Sequence, residues 1–175
     1  EILHQRDHVL DDFPVLERVE LSRDNWRELY SFSKERYPNM EIIACVYEEP
    51  SVDFCFQIGV DAFKLHTADL SNPDLIRHVA RCNKSIDLSV GASTVGEIER
   101  AIHWIKKESD APIWLMYGIQ NFPTPPGAFH LNHMMRLGDL FGLPVGYQDH
   151  SAGESDSGYW LPAAAIGMGV HVLEK

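Results

Sequence analysis

Lys64, His66 and Thr67 place an ammonium, an imidazole and a hydroxyl within four residues, at the end of an apolar run. A lysine at such a point is a clamp for phosphate or carboxylate, or a Schiff-base nucleophile if burial frees its amine. The plainer alternative is a lysine that snorkels to solvent. Ser89-Val90-Gly91-Ala92-Ser93 closes the next run and leads into a helix, where a small hydroxyl and outward-pointing N–H groups suit an anion. Gln120 and Asn121 follow a further run with two amides able to hydrogen-bond a phosphate or a sugar hydroxyl. Cys45 ends the first run, where a thiol either touches ligand or packs inertly. Gly146-Tyr147-Gln148-Asp149-His150 ends another, and His150 is a candidate metal ligand or general base. Asp149 should alternate away from it along a strand. His78, His103, His130 and His133 fall on helical stretches and read as structural or solvated, and His171 opens the last run at the end far from the active face.

Groups scattered over a hundred positions need a scaffold that gathers them. The runs Ile42 to Tyr47, Ala62 to Thr67, Ile86 to Gly91, Ile113 to Gln120, Pro144 to His150 and Val170 to Lys175 read as strands. Helical stretches separate them. Ser22 caps a leading helix that Tyr37-Pro38 ends; Pro50 to Gly59 and the stretch opened by Ser71-Asn72-Pro73 supply two more. Thr94 with Glu97 forms a capping box for Val95 to Lys107. Further helices are expected over Leu131 to Phe141 and, broken or kinked near Pro162, over Ser157 to Met168; Glu1 to Glu20 shows no period and reads as a loop. Strict alternation implies α/β architecture with a parallel sheet. No Gly-x-Gly-x-x-Gly or Walker A pattern follows a strand, which favours a (β/α)8 TIM barrel over an open nucleotide-binding sheet. Such a barrel takes about 250 residues. Residues 1–175 are therefore expected to be a single partial barrel domain carrying approximately strands three to eight, with the first two strands outside it.

The 175 residues are 45% hydrophobic and 23% charged, enough to bury a core. A net charge of −11 argues against nucleic acid and anionic membrane as partners. No long apolar segment or signal sequence is evident, and a cytoplasmic location is expected. Three cysteines, Cys45, Cys55 and Cys82, without C-x-x-C spacing argue for reduced thiols.

Taken in order, Phe63-Lys64-Leu65-His66-Thr67-Ala68-Asp69-Leu70, Ser89-Val90-Gly91-Ala92-Ser93, Asn121-Phe122-Pro123-Thr124-Pro125, Val145-Gly146-Tyr147-Gln148-Asp149-His150 and Gly169 to Lys175 resemble the sialic acid synthase (N-acetylneuraminate synthase) family. That family includes legionaminate, pseudaminate and spore-coat polysaccharide synthases. The resemblance implies condensation of phosphoenolpyruvate with an N-acetylmannosamine-type sugar, release of phosphate, and a divalent ion, Mn²⁺ or Mg²⁺. It implies that Lys64, Thr67, Ser89, Gln120 and Asn121 hold phosphoenolpyruvate, with Cys45 and Gln148 in the same substrate site, and that His150 ligates the metal. A second metal histidine would follow the pair Glu174-Lys175, and a homodimer would form through a C-terminal antifreeze-like domain. The chain departs from the family pattern in having Gln148 for serine, Cys45 for threonine and Met116-Tyr117-Gly118 for Leu-His-Cys. A Schiff-base aldolase using Lys64 and a non-catalytic barrel that binds a sugar phosphate or a partner remain the alternatives.

Overall fold

A computed structural model describes residues 19–175, and the leading loop expected over Glu1 to Glu20 lies almost wholly outside them. Six strands, β1 (Ile43–Val46), β2 (Ala62–Leu65), β3 (Ser85–Ser89), β4 (Ile113–Tyr117), β5 (Val145–Gln148) and β6 (Val172–Glu174), form one sheet in sequence order. Every neighbouring pair is parallel. The helices are α1 (Arg23–Arg36), α2 (Glu49–Ile58), α3 (Pro73–Arg81), α4 (Val95–Glu108), α5 (Leu131–Phe141) and α6 (Ser157–Gly167). This is the expected half-barrel, each strand being returned to the next by a helix.

Period-two alternation sorts each strand into two faces. Phe63, Leu65, Ile86, Leu88, Leu115 and Tyr147 take the helix-covered face and are fully buried against Leu75, Ile76, Val79, Ile98 and Ile105. Burial of each large side chain contributes about 1.5–3 kcal/mol. The opposite, inner face carries the polar groups. Registers Cys45↔Lys64, Lys64↔Asp87 and Asp87↔Trp114 set those four side by side; Ser89↔Met116, Met116↔Gly146 and Gly146↔Val172 put Ser89 one step nearer the carboxyl rim, and Gln148↔Glu174 lies one step beyond.

Local sequence explains the helix limits. Thr94 and Glu97 close the expected capping box at α4, Ser22 and Asn25 make another at α1, and Gly59 ends α2 at φ 94°. Of the break or kink expected near Pro162, the break is not found: α6 continues through it. Proline has no N–H for the carbonyl four residues back, here that of Gly158, and the Lys175 ammonium donates to that oxygen instead at 2.6 Å. The bond is thus replaced from outside the helix. No described helix is long and apolar enough to cross a membrane.

Candidate active site at the carboxyl rim

Lys64 leaves β2 with its side chain about one-eighth exposed, and its ammonium donates to Glu174 Oε2 across the inner face. The other Glu174 oxygen accepts from Gln148 Nε2 at 2.7 Å. Lys64, Glu174 and Gln148 thus form one chain of contacts linking β2, β6 and β5. Asp87 stands beside Lys64 on β3, only 2% exposed. Burial pushes its carboxyl up to about 7, against the pull of the Lys64 charge and with the help of Glu174. The Trp114 indole N–H nearby eases the shift without closing a hydrogen bond.

Four buried side-chain atoms among the described residues lack a hydrogen-bond partner: Asp87 Oδ1, Ser89 Oγ, Trp114 Nε1 and Gln148 Oε1. All four belong to the inner face. Unsatisfied buried polar atoms each cost about 1–3 kcal/mol, so their collection on one wall makes that wall the candidate for a polar ligand.

The loops above the rim add further groups. Thr67 Oγ1 donates to the Gly91 carbonyl and lies 3.0 Å from Ser93 Oγ, which ties the end of β2 to the loop after β3. His66 caps the short turn Thr67–Asp69 through Nδ1, which accepts from the Ala68 N–H at 3.2 Å. Burial lowers the proton affinity of His66; Asp69 opposes this, while the charges of Lys64 and His150 reinforce it. His150 Nδ1 lies 2.7 Å from the Ile119 carbonyl, so Nδ1 carries a proton and Nε2 is the nitrogen that can offer a lone pair. Phe122 meets the ring edge-on at 5.7 Å, and the Thr124 N–H donates to the His150 carbonyl at 2.7 Å.

The expected site residues divide accordingly. Lys64, Thr67, Ser89, Gln148 and His150 gather on the inner face and its rim. Gln120 leans over the loop, its Nε2 standing 2.9 Å from where a β-carbon on Gly91 would lie. Asn121 is exposed, and the contact that fixes it is its backbone carbonyl, which accepts from Thr124 Oγ1. Cys45 lies in the same layer as Lys64, with its thiol 3.4 Å from the Tyr47 hydroxyl. The end of α4 contributes less to an anion than its position suggests, because Glu97 already accepts from the Thr94 N–H at 2.7 Å. His78 pairs with Asp53 at 2.8 Å and His133 packs edge-on against Tyr117 on the helix-covered side, and His171 sits at the opposite end of the sheet.

Asp87 and Glu174 were not singled out as site residues by sequence. The signal for Asp87 was present in Ser85-Ile86-Asp87-Leu88-Ser89, where polar residues occupy every second position and so share a face. The partnership of Glu174 with Lys64 spans 110 positions and has no local signal.

Among the described residues, no group of three or more His, Cys, Asp or Glu side chains is arranged to hold a metal ion. His150 nevertheless has the required tautomer and a fixed ring. It fits one ligand of a set that water, substrate oxygens and other protein groups complete.

Close approach makes this rim sensitive to added bulk. A methyl on Gly91 would stand 2.5 Å from the Gly118 carbonyl oxygen, and one on Gly118 would stand 2.9 Å from Gln148 Cβ. Gly91→Ala is expected to cost about 1–3 kcal/mol by forcing the β3 and β4 loops apart. Its urea denaturation midpoint measures that directly; an unchanged midpoint would show that these loops are not held in contact.

A parallel β/α half-barrel whose carboxyl rim collects a lysine, hydroxyls, an amide and an oriented imidazole has polar groups at the end where barrels of this kind carry their chemistry. The chain belongs to the NeuB family, whose model matches residues 4–175. It is 29% identical over 163 residues to the N,N'-diacetyllegionaminic acid synthase of Campylobacter jejuni, covering 92% of this chain and 47% of that protein. To the enzyme of the same name from Legionella pneumophila it is 29% identical over 168 residues, covering 93% and 45%. The crystal structure of N-acetylneuraminic acid synthetase from Leptospira borgpetersenii superposes with a TM-score of 0.87 at 23% identity, over 99% of this chain and 58% of that one. A phospho-2-dehydro-3-deoxyheptonate aldolase from Thermotoga maritima shares the fold at a TM-score of 0.69 and 20% identity. The chain spans about half the length of the curated relatives it matches.

Proposed function

We propose that the protein containing this chain condenses phosphoenolpyruvate with the open-chain aldehyde of an N-acetylmannosamine-type sugar, forming a nonulosonic acid and releasing phosphate. The observation that carries this reading is the Lys64 ammonium with the unpartnered Ser89 hydroxyl and Trp114 indole N–H on the same inner face, donors suited to an anion with several oxygens. The similarity to legionaminic acid synthases supports the chemistry assigned to it.

In this reading Lys64 exchanges Glu174 for the substrate's phosphate or carboxylate, and the Ser89 hydroxyl donates to the same anion. Thr67 holds the loop after β3 in place, and Gln120 closes over it. Gln148 keeps Glu174 oriented while Lys64 is engaged elsewhere. His150 Nε2 would ligate a divalent cation, Mn²⁺ or Mg²⁺, and that ion would supply Lewis-acid polarisation of the aldehyde. The Schiff-base alternative fits less well, because an ammonium held in an ion pair has no lone pair with which to attack a carbonyl.

The intact protein, supplied with phosphoenolpyruvate and an N-acetylated aminosugar, is expected to release inorganic phosphate. Turnover should stop with EDTA and return with Mn²⁺ or Mg²⁺. Turnover that survives EDTA and is trapped by borohydride on Lys64 would establish the aldolase. Ligand binding without phosphate release would establish a non-catalytic barrel.

A further inference from the structure

The inner face holds two carboxyls, Asp87 and Glu174, around the single Lys64 ammonium. Lys64 gives its ion pair to Glu174, while Asp87 Oδ1 is buried without a partner. An anion that draws Lys64 away from Glu174 enters a wall that would carry two uncompensated negative charges if both carboxyls were ionised. Two like charges on one dry wall repel each other and the arriving anion, which opposes binding. One proton removes it.

We propose that Asp87 is a positioning residue that takes up a proton from solvent when Lys64 takes up an anion, leaving Lys64 free to serve the ligand. Asp87 is the better placed carboxyl for this role, because Glu174 is about one-third exposed and is bonded through both oxygens, whereas Asp87 is sealed. Its carboxyl already stands at about 7, and an arriving anion moves it further in the same direction. The groups that face it are Lys64 from β2, Glu174 from β6 and the indole of Trp114 from β4, with Cys45 of β1 one strand further along the same layer. The inference rests on the anion site proposed above.

Sulfate is the appropriate probe, since its own charge is constant between pH 6 and pH 9. Calorimetric titration of the intact protein in buffers of different ionisation heat counts the protons taken up. Near one proton per sulfate is expected at pH 8 and few at pH 6, with affinity falling about tenfold per pH unit above 7. D87N is expected to bind sulfate at pH 8 as the wild type does at pH 6, with no proton uptake. If D87N fails to fold, D87S serves, and the wild-type proton count is decisive on its own if it is zero. Binding that K64M abolishes but that takes up no proton overturns this inference and leaves the anion site standing. Uptake that persists unchanged in D87N or D87S assigns the proton to another group, Glu174 or a rim imidazole, and overturns it as well. No sulfate binding by the wild type overturns both.

Discussion

Lys64→Met in the intact protein is expected to lower kcat/KM for phosphate release by about 10²–10³, the cost of removing one preorganised charged group from the place where negative charge must be held. Methionine keeps the length and apolar stem of lysine, so the fold should survive and the loss should be one of chemistry. Lys64→Arg should rescue little. The lysine is nearly buried between Asp87 and Glu174, and a planar guanidinium fork needs room that this layer does not offer. Steady-state kinetics of the two variants, with circular dichroism to establish folding, measures the effect. A change of less than about threefold would mean that Lys64 only closes the ion pair with Glu174.

Asp149→Ala should be the most destabilising single change near the rim, at about 3 kcal/mol or more. Asp149 is the residue before the proposed metal ligand and points to the opposite face. Its fully buried carboxylate accepts from the Tyr147 hydroxyl at 3.1 Å, from the Ser151 N–H and hydroxyl at 3.0 Å each, and from the Lys175 ammonium at 2.6 Å. Alanine would leave all four donors without this acceptor. Burial alone would raise the Asp149 carboxyl, yet Lys175 and Ser151 outweigh it and hold the group below its ordinary value of 3.8. A carboxyl lowered in the folded state contributes stability above the unfolded value and loses it as the pH falls through the folded one. The gap between wild type and Asp149→Ala should therefore be full at pH 7 and narrow below about pH 4. Denaturation at both pH values tests this; a gap independent of pH would assign the loss to packing alone.

Much of this was legible because the signals are local. The Thr94 and Glu97 capping box, Gly59 closing α2 and the alternation of runs with helical stretches each lie within a few residues, and they specify a parallel β/α sheet without reference to anything distant. The parity of Asp149 and His150 was equally readable, since a strand turns successive side chains to opposite faces. What escaped depends on register between strands. Lys64 reaches Glu174 only because β2 and β6 present those residues to one interior, and no spacing along the chain encodes that. The break that was one expectation at Pro162 failed for the same reason. The rule that proline breaks a helix is local, whereas the ammonium that compensates for it arrives from Lys175, beyond the end of β6. The departure at Gln148 likewise became intelligible only once its amide was seen to hold Glu174.

The central claim is that Lys64 and His150 serve one ligand and its ion at one rim. A crystal structure of the intact protein with phosphoenolpyruvate, collected at the manganese absorption edge after soaking in Mn²⁺, tests it most directly. The expected result is an anomalous peak within bonding distance of His150 Nε2, with the phosphoenolpyruvate oxygens on the Lys64 ammonium and the Ser89 hydroxyl. Manganese bound away from His150, or phosphoenolpyruvate seated on the helix-covered side or at the amino end of the strands, would contradict the account.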